Sequence, residues 1–141
     1  MDNSVRPYSQ VYETLRKVGL RPTRQRLGLA RLLFENGDRH VTAEQLHSEA
    51  AGANLRVSLA TIYNTLNQFT ESGLMREVVV DPGRSYFDTN TSNHHHFFHE
   101  DTAHLQDIPD DSISVGKVPD PPAGTVVERV DIIVRVKKIN G

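Results

Sequence analysis

The chain has 141 residues, 37% of them apolar and 24% charged, with a net charge of −2: room for one ordinary domain or two small ones, and not the composition of a disordered polymer. No apolar run approaches the ~20 residues that a bilayer span needs, and the Met1-Asp2-Asn3-Ser4 start has neither the basic nor the apolar character of a secretory signal. Cysteine is absent, which excludes a disulfide framework and a thiolate zinc site and leads us to expect a cytoplasmic protein.

Four helical segments are expected first. Tyr8, Val11, Tyr12, Leu15 and Val18 recur at helical spacing until Gly19. Thr23 can cap a second helix, with Leu27, Ala30 and Phe34 facing inward and Asn36-Gly37 as its stop. Thr42-Ala43-Glu44-Gln45 is a capping box for a third, which offers Leu46 and Ala50 to a core. Ser58 opens a fourth, in which Ile62, Leu66 and Phe69 share one face and Gly73 ends the run.

The period then changes. Leu74 to Val80 and Ser85 to Asp88 read as strands around the turn Asp81-Pro82-Gly83-Arg84. Helices followed by a hairpin are the order of a winged helix-turn-helix, which makes the fourth helix the candidate recognition helix. Its outward residues are Tyr63, Asn64 and Asn67, with Thr61 and Gln68 beside them. Amides read adenine in the major groove, and an aromatic ring or a methyl contacts thymine.

Charge distribution agrees with this reading. Up to Arg31 the chain carries Arg6, Arg16, Lys17, Arg21, Arg24, Arg26 and Arg31 against Asp2 and Glu13, whereas Asn90 to Pro122 is acidic. A basic front end is the footprint of a phosphate binder, although a solvated helix face accounts for the charges alone. Arg21, Arg24 and Arg56 are the candidates for phosphate or minor-groove contact, and Ser58 stands at the start of the reading helix.

Thr89 to Asn93 holds only Thr, Asn and Ser and reads as a hinge, dividing a DNA-binding domain (1–88) from a sensing and dimerisation domain (94–141). The second domain is expected to hold a hairpin, His95 to Glu100 and Ala103 to Ile108, then a Pro-, Asp- and Gly-rich loop from Pro109 to Gly124. A long closing strand from Val126 to Lys137 comes last. A sheet so small buries itself poorly, so a homodimer is expected.

Five of the seven histidines lie between residues 94 and 104: His94, His95, His96, His99 and His104. Imidazole is a common metal ligand, and on a strand His94 and His96 share a face while His95 points away. No enzyme signature accompanies them: there is no His-Glu-x-x-His, phosphate-cradling glycine loop or nucleophile elbow. A metal-dependent hydrolase is the rival class, but we expect no enzyme.

Three stretches carry a family resemblance: Gly19-Leu20-Arg21-Pro22-Thr23-Arg24-Gln25-Arg26, His40-Val41-Thr42-Ala43-Glu44-Gln45-Leu46, and Leu59 to Phe69, Leu-Ala-Thr-Ile-Tyr-Asn-Thr-Leu-Asn-Gln-Phe. The chain resembles the ferric uptake regulator (Fur) superfamily over nearly its whole length. His94-His95-His96-Phe97-Phe98-His99 and Glu128 to Arg135 resemble its iron response regulator (Irr) branch in alphaproteobacteria. The resemblance implies an α+β fold, with an N-terminal winged helix-turn-helix domain and a small C-terminal mixed α/β dimerisation domain. It places a DNA-contacting tyrosine at Tyr63. It also implies a regulatory metal site at His40, Asp88, His94, His96 and Asp107, taking Mn²⁺, Fe²⁺ or Zn²⁺.

Where relatives carry Cys-x-x-Cys zinc pairs, this chain has His99 and Thr102 and no cysteine elsewhere. Ser114 and Val130 stand at ligand positions of a further family site, and Pro119 to Gly124 replaces a helix. The Irr resemblance implies a repressor that binds DNA when iron is scarce and is released by haem, held by histidine at His94, His95, His96, His99 or His104. The alternatives are direct corepression by Mn²⁺ or Fe²⁺ and, more remotely, peroxide sensing.

Overall fold

The structure is a computed structural model and describes residues 8–109 and 111–140. The Met1-Asp2-Asn3-Ser4 start, Arg6 of the basic front end and Asp110 of the acidic loop lie outside the described residues. The chain forms two compact units, Met1–Thr91 and Ser92–Gly141.

The first unit holds α1 (Ser9–Lys17), α2 (Arg24–Phe34), β1 (His40–Val41), α3 (Ala43–Gly52), α4 (Leu59–Glu71), β2 (Arg76–Asp81) and β3 (Arg84–Asp88). Its helix starts are chemically marked. The Thr23 and Ser58 hydroxyls accept from the amides of Arg26 and Thr61, and Thr42 with Gln45 forms a complete reciprocal capping box. Two helix ends need a left-handed residue: Gly19 at φ 78° and Gly73 at φ 87° let Leu20 and Leu74 donate back to the carbonyls of Leu15 and Phe69.

These helices enclose one core, in which Leu15, Leu29, Leu33, Leu46, Ile62, Leu66 and Phe69 are all 0% exposed. One expectation about a helix face needs correction. The buried face of α2 is Leu29, Ala30 and Leu33, with Leu27 and Phe34 only partly covered, because α2 packs against both α1 and α3. Tyr8, just ahead of α1, and Tyr12 within it are exposed, and the Tyr8 ring lies under the Arg31 guanidinium, 5.0 Å from it.

Strands β1, β3 and β2 form an antiparallel sheet in that order, and the β2–β3 hairpin turns through Pro82-Gly83. The α3–α4 pair followed by this hairpin has the element order of a winged helix-turn-helix.

The second unit contains β4 (His96–His99), β5 (His104–Asp107) and β6 (Ile133–Val136), in the order β5-β4-β6. β5 runs antiparallel to β4 and β6 parallel to it, around buried Phe98 and Leu105. Two expectations are corrected here. Among the described residues this unit has no helix, so its mixed α/β character is absent. The closing strand spans only Ile133–Val136, because β4 offers four residues to pair with and, among the described residues, the chain before Ile133 pairs with no strand. That preceding stretch leaves Val126, Val127 and Val130 exposed. Among the described residues no helix is long and apolar enough to cross a membrane.

Candidate metal centre and nucleic-acid interface

Antiparallel pairing of β4 with β5 sets His96 opposite Asp107. His96 Nε2 lies 3.2 Å from Asp107 Oδ1, and His94 Nε2 lies 3.4 Å from the same oxygen. The two imidazoles are buried with ring centroids 4.5 Å apart, while the Asp107 side chain is about half exposed. Ligand atoms of all three residues come within 4.8 Å of one another. The donor set suits a divalent ion of the Mn²⁺, Fe²⁺ or Zn²⁺ type: two buried imidazole nitrogens and a carboxylate to offset charge.

The surroundings prepare these ligands. Ser92 offers its carbonyl oxygen 2.8 Å from His94 Nδ1, so the Nδ1–H donates there and Nε2 is the atom directed toward Asp107.

The first unit places the two other expected ligands side by side: His40 on β1 is the cross-strand partner of Asp88 on β3. Asp88 is fully buried, its carboxylate accepts the Asn90 amide at 2.9 Å, and Arg76 is its partner on the opposite strand. His40 sits edge-on to Tyr86.

The haem candidates divide among three places. His94 and His96 form the buried pair. His95 Nδ1 accepts the Ile132 amide at 3.1 Å, so its other nitrogen is the protonated one. His99 and His104 face each other across the hairpin with centroids 5.5 Å apart, and His99 is hydrogen-bonded to Gln106.

On α4, Ile62, Leu66 and Phe69 face the core and Tyr63, Asn64 and Asn67 are exposed on the opposite side. Ser58 is engaged as the cap, and its hydroxyl also donates to Thr61 Oγ1 at 3.0 Å. Arg21, Arg24 and Arg56 are exposed. Gln68, expected as a flanking reader, instead accepts two bonds from Arg26 at 2.9 and 3.2 Å, and Arg26 also donates to the Arg21 carbonyl. That guanidinium ties the basic loop to the outward helix.

Sequence reasoning missed several residues of the first unit. The Tyr63 phenol donates to the Glu44 carboxylate at 2.8 Å, a hydrogen bond that raises its pKa from the ordinary tyrosine value, with burial adding to the effect. Arg39, next to His40, makes a two-pronged pair with Glu49 of α3 at 2.8 and 2.6 Å. These partners are remote in sequence and carry no local signal. Arg76 did carry one, since it falls in phase with buried Val78 and Val80 on β2, where an unmatched charge has no place.

Comparison with known proteins agrees with this architecture. Residues 17–118 match the model of the ferric uptake regulator family. The chain is 35% identical over 100 residues to the ferric uptake regulation protein of Shigella flexneri, covering 70% of this chain and 68% of that protein. It is 36% identical over 99 residues to the peroxide operon regulator of Bacillus subtilis, again covering 70% of this chain and 68% of the relative. The solved structure of the ferric uptake regulator from Pseudomonas aeruginosa with manganese superposes with a TM-score of 0.67 at 26% identity, covering 91% of this chain and 97% of that one. With the family model spanning most of the sequence and the fold shared throughout, the chain belongs to the ferric uptake regulator family.

Proposed function

We propose that the protein is a DNA-binding transcription regulator, acting as a homodimer, whose operator affinity is set by a divalent metal ion sensed directly. The observation that carries this reading is the buried His94–His96 pair converging on the Asp107 carboxylate. His40 and Asp88, paired across β1 and β3 of the first unit, are the further ligands that the family resemblance implies. A divalent ion held by these donors would supply positive charge that favours one of two conformational states, which is what a regulator requires. Asn64, Asn67 and Tyr63 would read bases from α4, and Arg21, Arg24 and Arg56 would hold phosphates.

A dimer is favoured by the short strands of the second unit and by its exposed Val115, Val118, Val126, Val127 and Val130. Palindromic operators follow from such symmetry. Relatives named as ferric uptake and peroxide regulators, and a neighbour solved with manganese, lend weight to metal sensing.

Haem release, implied by the Irr resemblance, stands behind direct sensing. His94 and His96 sit buried at ion-binding spacing, and the His95 lone pair is already taken. Selection of duplexes from a random pool, with Mn²⁺ and with a chelator, tests the proposal. Enrichment of a palindrome with Mn²⁺ alone is the expected result; equal enrichment with the chelator would remove the metal from the mechanism.

A further inference from the structure

The recognition surface contains an acid that a simple phosphate binder would avoid. Glu44 is the second residue of α3, fixed in place by the Thr42–Gln45 capping box, and its charge suits a helix N-terminus. Its carboxylate takes the Tyr63 hydroxyl with one oxygen at 2.8 Å and the other at 3.3 Å. Beside this pair runs a cleft of about 400 Å³ between α4 and the β2–β3 hairpin, into which Glu44, Tyr63, Asn67, Glu77 and Arg84 all project. Among the side chains lining the cleft, Glu44 and Glu77 are acidic, and Arg84, which pairs with Asp81, is basic.

Two consequences follow. An exposed tyrosine on a helix would otherwise sample several orientations, and a rigid acceptor holds it in one before any ligand arrives. A phosphate entering the cleft meets Glu44 and Glu77, whereas an amino group on a base edge finds an acceptor in Glu44. We propose that Glu44 is a specificity-determining residue: it holds the Tyr63 phenol for base contact and turns phosphates away from the cleft between α4 and the hairpin. The inference rests on α4 being the DNA-reading helix.

The test uses duplexes enriched from a random pool by the wild-type protein. Binding of the enriched duplex and of the unselected pool is measured by anisotropy for wild type, Glu44→Ala, Glu44→Gln, Tyr63→Phe and the Glu44→Ala/Tyr63→Phe double variant. Glu44→Ala is expected to bind the pool about three- to tenfold more tightly and to lose about tenfold in the ratio of enriched to pool affinity. Glu44→Gln keeps an acceptor for the phenol, so it tightens pool binding equally but retains more of the ratio. The double variant loses no more selectivity than the worse single variant, because the two residues act as one unit. An unchanged ratio in Glu44→Ala, or strictly additive losses, overturns the inference while DNA reading stands. Failure of the wild type to enrich any sequence overturns the DNA-reading assignment itself, and the inference with it.

Discussion

The Nδ1 atom of His94 lies 2.8 Å from the carbonyl oxygen of Ser92, so the Nδ1–H donates there and Nε2 is the ring atom turned toward Asp107. The backbone just ahead of β4 therefore chooses the tautomer that a metal needs. His96 enters the same cluster from the strand itself, 1% exposed.

His96→Ala is expected to weaken Mn²⁺ and Zn²⁺ binding by more than about 100-fold, beyond what loss of a supporting hydrogen bond would cost. His47→Ala, which removes a contact to the Val57 carbonyl outside the cluster, should leave metal affinity unchanged. Calorimetric titration of both variants checks the pair; equal affinities in the two would place the metal elsewhere.

Glu49→Ala removes the two-pronged partner of half-buried Arg39, which also donates to the Leu32 carbonyl. Both side chains keep substantial solvent contact, so a loss of only about 1 kcal/mol is expected. Urea unfolding followed by circular dichroism reads it. No loss at all would class the pair with ordinary surface ion pairs.

Thr42→Ala takes away the hydroxyl half of the α3 capping box, leaving the residue-42 amide to donate to Gln45, and is expected to cost about 1 kcal/mol. The same substitution should also loosen Glu44, two residues on, and so reduce the order of the Tyr63 ring. Thermal unfolding and ring relaxation by NMR report the two effects separately.

Tyr63 has a raised pKa because its hydroxyl donates to Glu44, with a smaller contribution from burial. A raised folded-state value means that this contact stabilises the fold below the ordinary tyrosine pKa and is lost as pH climbs through the folded value. In an NMR titration of ring carbons, Tyr63 should therefore ionise at higher pH in wild type than in Glu44→Ala. Identical titration curves would show that the hydrogen bond does not persist in solution.

Much of the first unit could be read from its sequence because its signals are local. Thr23, Thr42 and Ser58 each mark a helix start within three residues of the amides they cap, and Gly19 and Gly73 mark ends by backbone conformation alone. Periodicity placed Ile62, Leu66 and Phe69 inside for the same reason. It misplaced the face of α2, because packing on several sides lets Leu29 and Leu33 go deeper than Leu27 and Phe34. The alternation from Val126 to Lys137 promised a long strand, but a strand needs a partner and β4 supplies only four residues. At the site, the histidine triplet drew attention to His94 and His96, while the Tyr63–Glu44 contact joins residues 19 apart and had no sequence signature.

The most direct test of metal-controlled DNA binding is the affinity of the purified protein for its enriched duplex, measured by anisotropy as Mn²⁺ is added to metal-free wild type and to His96→Ala, with haem added afterwards. We expect Mn²⁺ to tighten binding at least about tenfold in wild type, the scale of a typical allosteric coupling. His96→Ala should not respond, and haem should leave the Mn²⁺-loaded complex intact. DNA affinity indifferent to Mn²⁺ and abolished by stoichiometric haem would contradict direct metal sensing and restore the haem-released repressor in its place.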